Sequence, residues 1–263
     1  DQATSSRMGS LRSFASRGVG GFRVSGAGRG IWRALRFLRA LRAGHLGDTE
    51  TVSSQLFHDW ALRTVAIKPY PICPFNHAPV AAALALREQH GLMPDKIASG
   101  TIGLDERQFG VVVDPIDAKR APQSEYDAKF SVPYAVATAL CKGRFTLADL
   151  EDAARVDAEV LSLARRIECT HDERSRYPDA FSGGVKLTLA DGTELEHFEA
   201  VNRGAEGQLL SAEQVKAKFL DNCALTIPAD KAAQLWSAML HLDEMKDVAE
   251  LTALLRTQAN RAA

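Results

Sequence analysis

The sequence predicts an α+β fold, and three observations carry that prediction. Asp191-Gly192 stands between the alternating runs Gly184-Val-Lys-Leu-Thr-Leu and Thr193-Glu-Leu-Glu-His-Phe, the signature of a two-residue β-hairpin. Residues 97–104 and 109–113 read as two further β segments, joined by the charged turn Asp105-Glu106-Arg107. Helical patterns lie around these strands without regular alternation, and two of them close the chain as a helical tail.

Taken in order, residues 1–30 are rich in Ser, Gly and Arg, and glycines at 18, 20, 21, 26, 28 and 30 erase any helical or strand period. Residues 31–46 form a basic amphipathic pattern, with Leu35, Leu38 and Leu41 near one face and arginines on the other. Asp48 and Thr49 are N-cap candidates for a linking helix through Leu56, Trp60 and Leu62. A strand at 64–67 leads into a proline-rich turn. The Ala/Leu-rich run 80–89 is helical and stops at Gly91, a natural C-cap. Residues 130–140 make an apolar helix of small side chains that ends near Gly143. Thr146 and Asp149 have capping-box spacing and predict a helix reaching about Ile167. After the hairpin, Ser211 and Gln214 cap one helix, and Pro228 with Asp230 opens another that carries Trp236, Leu240 and Leu242.

With 46% apolar and 25% charged residues in 263, the chain can bury a sizeable core. Its net charge of −1 hides an asymmetry. Residues 1–47 hold nine arginines and one acid, and the remainder carries a net −9. Such a start suits an organelle transit segment or an Arg/Gly tract that binds single-stranded RNA. Many Arg, Gly, Ser and Ala with no Lys and almost no acid is also what a GC-rich coding sequence yields out of frame, and residues 1–45 fit that reading best. The four cysteines are far apart, with no metal-ligand spacing among them and the seven histidines. Reduced thiols in a cytoplasmic compartment are the default. No apolar run is long enough to span a bilayer, so no membrane partner is expected.

The residues best suited to chemistry lie in Lys68-Pro-Tyr-Pro-Ile-Cys-Pro-Phe-Asn-His77. Pro69, Pro71 and Pro74 fix φ near −65° and push the residues before them toward extended conformations. Lys68 is thereby pinned and can bind a carboxylate as a point charge, or simply be a solvated lysine after a strand. His77, at the mouth of the next helix, can join Lys68 in an electropositive pocket or cap that helix. Cys73 lacks the partners of a nucleophile. Ser131 and Tyr134, on an apolar helix, read as a buried hydrogen-bonding device. Arg165-Arg166 and His171-Asp172-Glu173-Arg174 read as solvated surface charge, and phosphate loops, zinc motifs and a G-x-S-x-G elbow are absent.

In order, Lys68-Pro-Tyr-Pro-x-Cys with His77, Ala128-Lys-Phe-Ser-Val-Pro-Tyr134 leading to Gly143, and the Asp191-Gly192 hairpin resemble the C-terminal part of the MmgE/PrpD family. The resemblance covers about residues 46–255. It implies an α+β lid over about 64–203, with helices in 204–263 that belong to an all-helical domain largely missing here. It also implies a hydro-lyase of the 2-methylcitrate dehydratase type, in propionate metabolism, acting on a small di- or tricarboxylate. A decarboxylase or epimerase of the same family is the alternative. No metal or other cofactor and no nucleic acid is implied, and intact members are homodimers. Lys68 matches the family's catalytic, substrate-facing lid lysine, and His77 matches a position where histidine is frequent. Phe109 falls near an active-site tyrosine of the decarboxylase branch. Ser6-Arg7-Met8 echoes a segment that should continue into a histidine, but Gly9 and Ser10 follow. The chain is therefore expected to be an incomplete copy with little activity alone: one half of a split enzyme or a non-catalytic remnant.

Overall fold

The computed structural model describes residues 65–205 and 207–255. All of them belong to one compact unit of the chain, residues 64–263. Everything the sequence predicts for residues 1–64, including the irregular tract and the linking helix, lies outside the described residues.

Along this unit run α1 (His77–His90), β1 (Ile97–Leu104), α2 (Phe109–Val112), α3 (Ile116–Arg120), α4 (Glu125–Lys129), α5 (Val132–Lys142), α6 (Asp152–Arg155), α7 (Ala158–Arg165), β2 (Ile167–His171), β3 (Gly183–Leu189), β4 (Glu194–Glu199), α8 (Ala212–Cys223), α9 (Ala229–Leu240) and α10 (Ala249–Leu254). The strands form one mixed sheet in the order β2-β1-β3-β4. β1 is parallel to β2, with Gly100 opposite Ile167, and antiparallel to β3, with Ile102 opposite Val185. The α+β class is as predicted.

Helix α1 lies against β3, β4 and α5, and α5 also packs on α7. Ile102, Leu104, Val185 and Leu187 meet Val80, Leu86, Val136 and Leu140 in the main core, all at 1% exposure or less. Gly91 (φ 57°) and Gly143 (φ 69°) end α1 and α5 as the sequence predicts. Arg87 joins the two ends, donating from Nη1 to the carbonyls of Leu92 and Leu140. Ser131 accepts from the Tyr134 amide at 3.1 Å to cap α5, and the Tyr134 hydroxyl donates to the Asp149 carbonyl at 2.7 Å. The pair is the buried hydrogen-bonding device its setting suggests. A second, small cluster of Cys223, Ala232 and Leu235 holds the C-terminal helices, where Phe219 meets Trp236 at 5.3 Å. Both predicted caps, the Ser211–Gln214 box and Pro228, are in place.

Four expectations need correction. Residues 109–113 are not a strand. Asp105 accepts from the Arg107 amide at 3.0 Å and Gln108 reaches back to the Asp105 amide, so the chain turns into a helical path before its valines can extend. The helix expected over 146–167 is broken. The Thr146–Asp149 box forms, but Asp157 caps anew through the amides of Glu159 and Val160, and the chain then enters β2. Residues 65–67 are exposed and irregular, and they join no strand of the sheet among the described residues. The hairpin loop has three residues instead of two, with the Leu189 amide bonded to the Thr193 carbonyl at 2.8 Å and Gly192 at φ 88°. A glycine in the left-handed region after a tight turn is what a three-residue loop requires. Arg174 is also less free than its sequence suggests: it bonds Asp172 and Glu196 and lies 4.5 Å over the Phe198 ring.

Two glycines at nearly the same φ separate backbone freedom from close approach. Gly204 has φ 86°, and a Cβ there would lie 2.0 Å from the Ile67 carbonyl oxygen, whereas Gly192 has open space around it. Gly192→Ala should cost about 1 kcal/mol, the left-handed penalty alone. Gly204→Ala should cost roughly 2–4 kcal/mol, because the chain carrying Lys68 must also move. Urea unfolding of the two variants beside the parent checks the difference.

Candidate functional site

The proline turn is fixed from both sides. The Cys73 amide donates to the Lys129 carbonyl at 2.9 Å, and the Asn76 side chain donates to the same carbonyl at 3.3 Å, tying the turn to the end of α4. On the other side, Gly204 covers the Ile67 carbonyl, and Lys218 of α8 donates through Nζ to the Lys68 carbonyl. The prolines limit the turn's freedom, and these bonds select one conformation from what is left.

Lys68 and His77 are brought together at a single atom. Lys68 Nζ donates to the Ile72 carbonyl at 3.1 Å, and His77 Nε2 lies 3.3 Å from the same oxygen. A carbonyl only accepts, so Nε2 carries the proton and Nδ1 is the bare acceptor. Nδ1 is buried without a hydrogen-bond partner among the described residues. The ring is 1% exposed and meets the edge of Tyr70 at 5.5 Å. Burial lowers the His77 pKa to about 4, and the Lys68 and Lys218 cations push in the same direction. At neutral pH His77 is therefore an uncharged spacer. Lys68 and His77 are adjacent, as the electropositive pocket expected from the sequence requires, with the positive charge on the lysine, and a second lysine, Lys218, arrives from a helix 150 residues further on.

Lys68 is exposed, and its bond to Ile72 uses one of three ammonium donors. Among the described residues it is the only bond the ammonium makes. Burial raises the Cys73 thiol pKa, which keeps it protonated and a poor nucleophile. All four cysteines are free thiols. No group of three or more His, Cys, Asp or Glu among the described residues could hold a metal ion. Sequence reasoning did not find Lys218 or Gly204, because nothing local to either marks it; both act through contact with the distant turn.

The model of the MmgE/PrpD C-terminal domain matches residues 70–244, two thirds of the chain. This protein belongs to the MmgE/PrpD family. His77 lies inside the matched span and Lys68 just before it. Among curated proteins, the chain is 24% identical to cis-aconitate decarboxylase of Mus musculus over 204 residues, covering 76% of this chain and 41% of that protein. It is 26% identical to 2-methylcitrate dehydratase of Cupriavidus necator over 266 residues, covering 88% of this chain and 53% of that one. The chain spans about half the length of the curated relatives it matches. In this MmgE/PrpD chain, residue 109 brings no phenol to the site: Phe109 begins α2 and packs against the main core. No helix among the described residues is long and apolar enough to cross a membrane.

The neutral His77 has a measurable consequence. Its folded pKa of about 4 lies below the unfolded value of 6.5, so the unfolded chain binds the extra proton first. Stability from this residue is full above pH 6.5 and is lost as pH falls toward 4, by about 3 kcal/mol in all. His77→Gln should flatten that part of the profile, which urea midpoints at pH 7, 6 and 5 would measure.

Proposed function

We propose that this chain is the carboxylate-binding part of an MmgE/PrpD-type hydro-lyase acting on a small di- or tricarboxylate, and that it is an incomplete copy needing a helical half for turnover. The observation that carries this is the exposed Lys68 ammonium, whose one bond among the described residues is to the Ile72 carbonyl, in a chain of this family. In the proposed reaction a base removes the proton α to a carboxylate, and charge builds on that carboxylate as the hydroxide leaves with help from an acid. Lys68 stabilises the enolate-like charge. His77 does not donate or accept that proton; it keeps Ile72 and Lys68 in place.

The similarity to a 2-methylcitrate dehydratase and a cis-aconitate decarboxylase supports these carboxylates as first substrates to try. Decarboxylation or epimerisation would use the same lysine and differ in the acid and base supplied by the other half. The four free thiols favour a reducing, cytoplasmic setting, and the assembled enzyme is proposed to be a homodimer that needs no metal.

The test is turnover of 2-methylcitrate and cis-aconitate by the purified chain, alone and with a supplied helical half. Activity should appear only in the combination, and Lys68→Ala should lower kcat/KM by roughly 10²–10³-fold, the scale for losing one transition-state charge donor. Turnover that survives Lys68→Ala removes this residue from the mechanism. No turnover in any combination favours a non-catalytic remnant.

A further inference from the structure

A cleft of about 360 Å³ opens between the proline turn, the segment after α5 and helix α8. Three cations, Arg144, Arg203 and Lys218, line it against the single carboxylate of Asp221. This local excess stands out in a part of the chain that is acidic overall. Arg203 is exposed, lies near enough to Tyr70 to lower the pull of burial on its phenol, and enters no ion pair among the described residues. Arg144 donates to the Thr146 hydroxyl at 2.9 Å and stands 3.7 Å from Asp149. Lys218 is half-buried, and its charge is disfavoured by burial and by the nearby Lys68. Gln214 adds a neutral amide, while Leu84 and Phe145 give apolar lining.

Three cations that meet only Asp221 in the lining and, through Arg144, Asp149 among the described residues, in a cleft large enough for a small organic molecule, suit a compact anion with two or more charges. Such an anion would relieve the repulsion between Lys218 and its neighbours. It would also touch the turn, the segment after α5 and α8 at once. Among these elements, Lys218 is what the hydrogen bonds show tying α8 to the turn, through the Lys68 carbonyl.

We propose that this cleft is a second anion site, separate from the exposed ammonium of Lys68, which binds a compact polyvalent anion and clamps α8 onto the proline turn. It does not depend on the lyase activity proposed above.

The test is hydrogen–deuterium exchange of the full chain during titration with citrate, with inorganic phosphate, and with sodium chloride at matched ionic strength. Citrate or phosphate should slow exchange saturably across residues 211–223, and chloride should not. Protection by citrate alone would identify a carboxylate ligand, and protection by phosphate at equal concentration would identify a phosphate-bearing one; either supports the site. Arg203→Gln, which breaks no hydrogen bond or ion pair among the described residues, should weaken binding at least tenfold. Lys68→Ala should change it by less than threefold. The inference is overturned if no saturable protection is seen, if chloride reproduces it, if Arg203→Gln binds as the parent does, or if Lys68→Ala abolishes binding.

Discussion

The carbonyl oxygen of Ile72 accepts from both Lys68 Nζ and His77 Nε2, and the shape of the candidate site depends on that shared acceptor. A carbonyl can take two donors because it has two lone pairs. With both occupied, the turn cannot open without leaving a buried imidazole and a buried carbonyl unpaired, at about 1–3 kcal/mol each. The three prolines reduce the number of conformations from which this one is selected. The contacts at Gly204 and Lys218 extend the constraint to the chain on either side of Lys68.

Burial then decides charge. An imidazole in water titrates near neutrality, and burial moves that of His77 well below it. His77 is sealed at 1% exposure and stays neutral, while Lys68 is in contact with solvent. The outcome is a single exposed ammonium beside a neutral ring.

Much of the fold was legible in the sequence where local chemistry acts alone. Gly91 and Gly143 stop helices because the left-handed conformation favours glycine, and Ser211 with Gln214 closes a capping box whatever lies around it. The Asp191-Gly192 turn is of the same kind, off by one loop residue. Where the sequence misled, two local signals competed. The valine-rich stretch after Gln108 has strand propensity, but the Asp105 cap acts first. Strand β2 exists because β1 offers it a parallel edge, and its five residues carry too little pattern to announce that. At the site, the turn and its lysine were legible from the prolines. The neutral state of His77 was not, since it depends on the burial of one ring, and Lys218 lies too far along the chain for any spacing to connect it to Lys68.

His77 is a neutral, Nε2-protonated spacer, and Lys68 is the only cation on the turn. Nitrogen-15 chemical shifts of the His77 imidazole, followed from pH 7.5 to 4, measure this directly. The expected result is one protonated nitrogen, Nε2, from pH 7.5 down to about 5, with titration setting in only near pH 4. A ring that titrates at 6 or above, or one that carries its proton on Nδ1 at neutral pH, would contradict it.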